Sequence, residues 1–170
     1  MPDIQTGVYA RMFDLCRTQT LAAAAGVPEA ARLFQLRENK ATPLWLVGHN
    51  AVVVNNVLLQ WTLGGESLLP LSVMRTFAPA AAGGKPISVR AEDYPPWEEV
   101  LTMYDRTMQA AQAAVAALDD SALGESFRGK MPERLQSRWQ TIEDVLQEMP
   151  GHDAYHRGQL ALLSSYHTAV

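Results

Sequence analysis

The sequence predicts an all-α fold, a four-helix bundle built by a single domain over residues 1–170. Three observations support this prediction. Apolar residues recur every three or four positions in four separate stretches, no stretch shows the alternation of a half-buried strand, and proline, glycine and polar residues separate the four stretches. Amphipathic helices of this kind bury their apolar faces by packing together as a bundle.

Composition narrows the class of protein. The 170 residues are 48% hydrophobic, which is enough for one buried core. The net charge of -4 leaves no basic surface, so nucleic-acid binding is not expected. The single cysteine, Cys16, excludes an intramolecular disulfide and is expected to be a small buried hydrophobe. Residues 1–3 lack the start of a signal peptide, so a cytoplasmic location is expected.

Start and stop signals mark the first two helices. The first is expected to begin near Asp3, a suitable N-cap, and to end at about Ala25 before a Gly-Val-Pro sequence. The second is expected to begin with Thr42 as N-cap and Pro43 at N1, and to run to about Leu63 before two glycines. The core-facing stripe of the first helix is predicted to consist of Val8, Met12, Leu15, Gln19 and Ala22.

The second helix is apolar enough to be considered as a membrane span. No charged residue lies between Lys40 and Glu66, and that length could cross a bilayer core about 30 Å thick. Small and polar residues are nevertheless spread around the whole helix. They are Gly48, His49, Asn50, Asn55, Asn56 and Gln60. We therefore expect no membrane insertion, and a helix that is buried on most sides in the bundle or partly in a dimer.

Two long connections are rich in helix breakers. Residues 64–96 contain four glycines and five prolines, which excludes one continuous helix. This segment is either a lid that faces a substrate or the crossover that joins two distant helix ends, and the sequence favours neither. Residues 121–140 are polar and are interrupted by Gly124, Gly129 and Pro132.

The third helix has the strongest periodicity and the fourth has the clearest cap. The third is expected over residues 95–118. Its stripe is Trp97, Leu101, Tyr104, Met108, Ala111, Val115 and Leu118. Thr141 is expected to cap the fourth helix together with Asp144, and Pro150 is expected to kink that helix one turn before its first histidine.

Two histidines of the fourth helix point to a metal site. His152 and His156 are four residues apart and therefore share one face, and Met149 and Leu160 make that face apolar. Buried imidazoles need partners, and a metal ion is one solution, with His49 of the second helix as a third ligand. We predict a single metal site formed by these three histidines.

The motifs around these histidines resemble those of a known family. A helix that reads Trp-Leu-x-Gly-His, followed far downstream by His-x-x-x-His-Arg-Gly-Gln-Leu, is similar to the DinB-like family of metal-dependent helical bundles. The matching positions are Trp45, Leu46, Gly48, His49, His152, His156, Arg157, Gly158, Gln159 and Leu160. The resemblance covers essentially the whole chain in helix order and spacing.

The resemblance implies an up-down-down-up bundle with a long crossover, a divalent metal held by His49, His152 and His156, and a homodimer. It also implies a small-molecule substrate, and the substrates of related transferases include low-molecular-weight thiols. Three imidazoles leave open positions on Zn, Ni, Fe or Mn, and such a metal can activate a bound water or thiol. We therefore expect a metal-dependent thiol transferase or hydrolase.

A second class of function remains open from the sequence. The bundle could be non-catalytic, with a structural metal, and act as a dimeric binding or scaffold protein. Asn56, Asp105 and Tyr155 are candidates to bond the imidazoles, and Arg157 is expected to form a structural ion pair or to contact an anionic substrate. Three tryptophans are expected to serve in packing, namely Trp61, Trp97 and Trp139.

Overall fold

The computed structural model describes residues 4–169 and contains no β-strand among them. The helices are α1 Ile4–Ala25, α2 Pro43–Val53, α3 Leu71–Phe77, α4 Trp97–Ala116, α5 Glu133–Gln136 and α6 Ile142–Ala169. A π-helix, Val54–Thr62, continues α2. The prediction of an all-α fold is confirmed, and the short helices α3 and α5 are additions to it.

The bundle consists of α1, α2 with its π-helical extension, α4 and α6. Each of α1 and α2 packs against both α4 and α6. α1 and α6 run parallel, because Tyr9 contacts Glu143 near their starts and Thr20 contacts Asp153 further along. α4 runs antiparallel to α1, because Asp120, just beyond the end of α4, binds the start of α1.

The direction of α2 completes the topology. Asn50, in the middle of α2, donates a hydrogen bond to Asp153 of α6. Trp61, near the end of the π-helix, accepts one from the backbone of Gly129, which precedes α6. α2 is therefore antiparallel to α6, and the four long helices run up, down, down and up, as the resemblance implied.

The predicted inner stripe of α1 is wrong. Val8, Met12 and Leu15 are exposed, with 54% of the Leu15 surface accessible. Gln19 and Ala22 are exposed as well. The buried residues lie on the opposite side of the helix, and they are Thr6, Ala10, Phe13, Cys16, Thr20 and Ala24. α1 therefore has an apolar face that no other part of residues 4–169 covers, which we call the outer stripe (Ile4, Val8, Met12, Leu15).

The predicted N-cap of α1, Asp3, lies outside the described residues. At the described start of the helix, the carboxylate of Asp120 accepts hydrogen bonds from the backbone N–H groups of Ile4, Gln5 and Thr6. These groups have no partner within a helix, and a negative charge is favourable at this end. A residue from beyond α4 thus caps α1. The helix ends at Ala25, as predicted.

α2 begins as predicted and is buried on all sides. Thr42 Oγ1 accepts a hydrogen bond of 3.1 Å from the backbone N–H of Trp45, and Pro43 occupies N1. Every residue from 43 to 52 is buried, which confirms the expectation of a helix that is buried on most sides in the bundle. From Val54 the helix widens into π geometry, with a hydrogen bond from Leu63 N–H to Leu58 O as its last turn. No helix within 4–169 is both long and apolar enough to cross a bilayer.

The predictions for α4 and α6 are largely confirmed. Six of the seven predicted stripe residues of α4 are buried, and the seventh, Leu101, is partly buried. Thr141 and Asp144 form the expected capping box, in which each side chain bonds the backbone N–H of the other. α6 continues through Pro150, whose carbonyl accepts a weak bond from the Cys16 thiol.

Both irregular connections, residues 64–96 and 121–140, pack closely against α2 or its π-helical extension. Residues 64–96 include α3, and Phe77 at its end packs directly on Gly48, where an added Cβ would lie 2.3 Å from the phenyl ring. In the second connection, Gly129 lies so close to α2 that an added Cβ would be 2.0 Å from the Gln60 carbonyl oxygen. Each connection is thus in close contact with α2 or with its π-helical extension.

Candidate metal centre

The three predicted histidines meet in the interior of the bundle. One ring nitrogen from each of His49, His152 and His156 lies within 4.8 Å of those of the others. The Nε2 atoms of His152 and His156 are 3.2 Å apart, because the two residues are one turn apart on α6. His49 is 5% exposed, and the other two are half-buried. The fold therefore assembles the predicted three-histidine group; its role in binding a metal stays a prediction.

Two of the imidazoles are oriented by hydrogen bonds at Nδ1. The His49 Nδ1–H group donates to the Phe77 carbonyl at 2.9 Å, and the His156 Nδ1–H group donates to Gln159 Oε1 at 2.7 Å. Gln159 in turn donates from Nε2 to the Tyr155 hydroxyl, which fixes the direction of its amide. Because Nδ1 carries the proton in both rings, each Nε2 presents a lone pair to the other histidines.

Burial keeps these imidazoles neutral. It lowers the pKa of His49 from 6.5 to about 4, with the nearby His156 contributing in the same direction. Burial also lowers the pKa of His152 to about 3, and His156 and His49 lower it further. The pKa of His156 is lowered as well, mainly by burial and against the effect of its bond to Gln159. Neutral imidazoles are the form that binds metal ions.

The His49 ring is also held by its neighbours Trp45 and Phe77. The Trp45 indole, one turn earlier on α2, stacks on the His49 ring with centroids 4.5 Å apart and an angle of 10° between the planes. Gly48 allows Phe77 to approach α2 closely enough for its carbonyl to reach Nδ1. Trp45 and Gly48 belong to the Trp-Leu-x-Gly-His motif, which by itself predicts a role for neither residue.

A buried carboxylate next to the histidines ties the helices together. Asp153, which is 2% exposed, accepts hydrogen bonds from Thr20 of α1, Asn50 of α2 and Tyr104 of α4. Arg157 of α6 adds an ion pair of 3.4 Å. Burial raises the pKa of Asp153, and the three hydrogen bonds and Arg157 oppose that rise by stabilising the charged form.

A cavity of about 330 Å³ adjoins the three-histidine group, and we call it the histidine cavity. His49 and His152 line it. The rest of the wall comes from α2 and its π-helical extension, from residues 78–82 just after α3, from α5 and the residues that follow it, and from α6. Its apolar and aromatic lining residues are Val52, Val53, Val57, Trp61, Ala78, Pro79, Ala82, Leu135, Trp139 and Met149. Its other lining residues are Asn56, Arg134, Arg138 and Glu148. A small molecule in this cavity would contact two of the three histidines.

The sequence pattern that defines the DinB superfamily matches residues 12–160. This range includes all three histidines and all four long helices, apart from the first turns of α1 and the end of α6. The chain belongs to the DinB superfamily. No curated protein and no solved structure matches the chain.

The residues predicted to support the site of this DinB chain have different roles. Asp105 does not reach the histidines, because it forms an ion pair of 2.7 Å with Arg17. Asn56 lines the histidine cavity. Tyr155 packs edge-on against the His156 ring, with centroids 5.1 Å apart, and its hydroxyl accepts a hydrogen bond from Gln159. Arg157 forms the structural ion pair with Asp153 described above.

The remaining expectations concern the cysteine and the tryptophans. Cys16 is buried, and burial raises the pKa of its thiol to about 11, which is the behaviour expected of a packing residue. Trp97 is in the core, whereas Trp61 and Trp139 line the histidine cavity. Packing was the expected role for all three tryptophans, and two of them also border the candidate site.

Proposed function

We propose that this DinB-superfamily protein binds a divalent metal ion through the Nε2 atoms of His49, His152 and His156, and that it is a metal-dependent enzyme acting on a small molecule. The observation that carries the proposal is the convergence of three neutral imidazoles, within 4.8 Å of one another, beside a cavity. Membership of a superfamily that is commonly associated with metals supports the same reading.

The residues present fit a divalent ion. The Nε2 atoms of His152 and His156 are 3.2 Å apart, and a cation can take the place of the proton that the two nitrogens share in this hydrogen bond. Hydrogen bonds from Nδ1 to an acceptor are the usual support for histidine ligands, and two of the three rings have one. Zn²⁺, Ni²⁺, Fe²⁺ and Mn²⁺ all accept three imidazoles with open positions.

The reaction we favour is thiol transfer or hydrolysis. A bound divalent ion would supply Lewis acidity toward a group of the substrate. The chain itself would contribute the orientation of the imidazoles, through Phe77 and Gln159, and an apolar cavity wall that excludes water from the reacting groups. The proposal does not depend on a protein nucleophile, and the buried Cys16 thiol is unsuited to be one.

The first test is the metal content of untagged protein, measured by mass spectrometry of the elements. We expect about one divalent ion per chain in the wild type and none in the His152→Ala/His156→Ala variant. The matched control is His167→Ala, because His167 lies on the same helix and contacts Phe34 instead of the site. Equal metal content in the wild type and the double variant would overturn the site assignment.

The second test separates the two reactions. The metal-loaded protein is assayed for consumption of a small thiol in the presence of an electrophile, and for release of p-nitrophenol from its acetate ester. Activity in one assay that His152→Ala/His156→Ala abolishes would identify the reaction class. Full metal binding without activity in either assay, together with a large loss of thermal stability on chelation, would favour the structural-metal scaffold.

We further propose that the protein forms a homodimer through the outer stripe of α1. Ile4, Val8, Met12 and Leu15 form an apolar row on the surface of the described chain, and water-exposed rows of this kind are typical of interfaces. Leu15→Glu should then convert the dimer to a monomer in light scattering, while the control Ala113→Glu, at an exposed position of α4, should not. A wild-type monomer would refute this proposal and leave the metal site unaffected.

A further inference from the structure

We propose that the histidine cavity binds a small amphiphile with an apolar body and one terminal anionic group, and that Arg134 recognises the anion. The inference rests on the proposed function only in taking this cavity as the substrate site. It specifies the chemical class of the substrate, which the three-histidine group leaves open.

The lining of the cavity predicts that most of the ligand is apolar. Ten of its sixteen lining residues are aliphatic, aromatic, alanine or proline residues, and they come from α2, α6 and both connections. A volume of about 330 Å³ lies at the lower end of the range for small-molecule sites. Burial of an alkyl chain or ring against this wall is favourable, because it removes apolar surface from water.

The charged residues of the cavity leave one positive charge unbalanced. Arg138 and Glu148 form an ion pair, in which both Nε and Nη2 of the arginine donate to the carboxylate. Glu148 also accepts a hydrogen bond of 2.6 Å from the Trp139 indole. Arg134, by contrast, forms no hydrogen bond or ion pair with any residue between 4 and 169, and it is exposed at the cavity rim. Its guanidinium is therefore available to a ligand.

The uncharged polar groups favour an acceptor-rich ligand as well. The Asn56 carbonyl oxygen accepts a hydrogen bond of 2.8 Å from Asn55. The Asn56 amide N–H₂ group donates no hydrogen bond to any residue between 4 and 169, so this lining residue adds a second available donor to Arg134. Glu148, the carboxylate of the lining, is occupied by Arg138 and Trp139. Apart from the histidine nitrogens, the cavity therefore offers donors, which match an anion and reject a cation.

The test compares eight-carbon ligands that differ only in their terminal group. Octanoate, octyl phosphate, 1-octanol and octylamine are titrated into the purified protein by calorimetry. We expect the better of the two anions to bind roughly tenfold or more tightly than 1-octanol, since a hydrogen bond to a charged group contributes that much. Octylamine should bind more weakly than 1-octanol. Tighter binding of octanoate or of octyl phosphate would show whether the terminal group of the ligand is a carboxylate or a phosphate.

The variant Arg134→Gln tests whether Arg134 causes the preference for anionic ligands. It should remove most of the advantage of the anion while leaving the affinity for 1-octanol unchanged, and circular dichroism should show that the helices are retained. The matched control is Arg106→Gln, because Arg106 is an exposed arginine of α4 that lines a separate groove. The titrations are repeated in EDTA, which removes any metal as an alternative partner for the anion.

The outcomes are distinguishable from those of the proposed function. If the preference for anions persists in EDTA and requires Arg134, the inference stands even if no metal is found in the purified protein. If 1-octanol binds as tightly as the anions, or if the preference disappears in EDTA or survives Arg134→Gln, the inference is overturned. The metal content of the wild type then still decides the metal site by itself.

Discussion

Gly48 and Phe77 are in contact where only a glycine fits. A Cβ at position 48 would lie 2.3 Å from the Phe77 ring, which is fully buried. We predict that Gly48→Ala destabilises the protein by about 2 kcal/mol in urea denaturation, because the core becomes overpacked. The displaced Phe77 carbonyl would also release His49, so the affinity for the metal should fall roughly tenfold in a competition assay.

The control for this prediction is Gly158→Ala. Gly158 is exposed on α6, and an added Cβ there meets no other atom within 4 Å. The replacement should stabilise the protein by about 0.5–1 kcal/mol, because alanine is the better helix former. An unchanged metal affinity in Gly48→Ala would mean that the Phe77 carbonyl does not orient His49.

At the residue scale, the sequence predicts the three-histidine group better than the residues that hold its rings in place. His152 and His156 can be found because helical spacing places them together, and His49 because it ends the Trp-Leu-x-Gly-His motif. The Phe77 carbonyl cannot be found in this way, since a backbone carbonyl has no residue-type signature and Phe77 is 28 positions from His49. Gln159 could have been found, because it lies three positions after His156 on the same helix.

At the element scale, α1 depends on a cap from a distant part of the chain. The hydrogen bonds from Thr6, Gln5 and Ile4 lower the pKa of Asp120, with the backbone N–H of Thr6 contributing most. We predict that Asp120→Ala lowers the midpoint temperature of unfolding and speeds hydrogen exchange in the first turn of α1. The stabilisation by Asp120 requires its charged form, so it should be present at neutral pH and lost as the pH falls through the lowered pKa.

Asp119→Ala provides the matched control for the cap. Asp119 precedes Asp120 and is exposed, and its side chain makes no capping hydrogen bond. Its replacement should leave both the midpoint temperature and the exchange of α1 nearly unchanged. Equal effects of the two replacements would show that Asp120 acts by general charge and not by binding the helix end.

The failure of the α1 prediction also has a physical cause at this scale. The helix has two candidate stripes, and the one that contains larger apolar side chains, the outer stripe, is exposed. The buried stripe includes Thr6 and Thr20, which periodicity counts as polar. Both hydroxyls are satisfied by carboxylates from other helices or connections, Asp120 and Asp153, so their burial carries no penalty. Sequence periodicity cannot anticipate partners supplied by tertiary structure.

For the whole molecule, the buried imidazoles make stability depend on pH. Burial lowers the pKa of His49 to about 4, whereas the unfolded chain takes up this proton near pH 6.5. Between these values the unfolded state binds more protons, so acidification favours unfolding. We predict that the free energy of unfolding in EDTA falls by about 1.4 kcal/mol per pH unit from His49 alone. His152 should add to this slope, because its pKa is lowered in the same direction.

Urea denaturation of His49→Gln across the same pH range tests the assignment. The carboxylates titrate in both proteins, so the difference between the two slopes isolates His49. A smaller slope in the variant is expected, whatever its absolute stability. Identical slopes would mean that His49 is solvated in the folded protein, which would contradict the buried position of this ring.

The hydrogen bonds of Asp153 have a consequence for how the bundle can move. The carboxylate of Asp153, on α6, accepts hydrogen bonds from Thr20 of α1, Asn50 of α2 and Tyr104 of α4. All four long helices are therefore connected at a single level along the bundle axis. A sliding motion of any helix would break a bond to a buried charge at that level. His152 directly precedes Asp153 and lies at the same level of the bundle. Breathing motions should therefore begin at the two ends of the bundle and leave the relative positions of the histidines almost constant until the molecule unfolds as a whole.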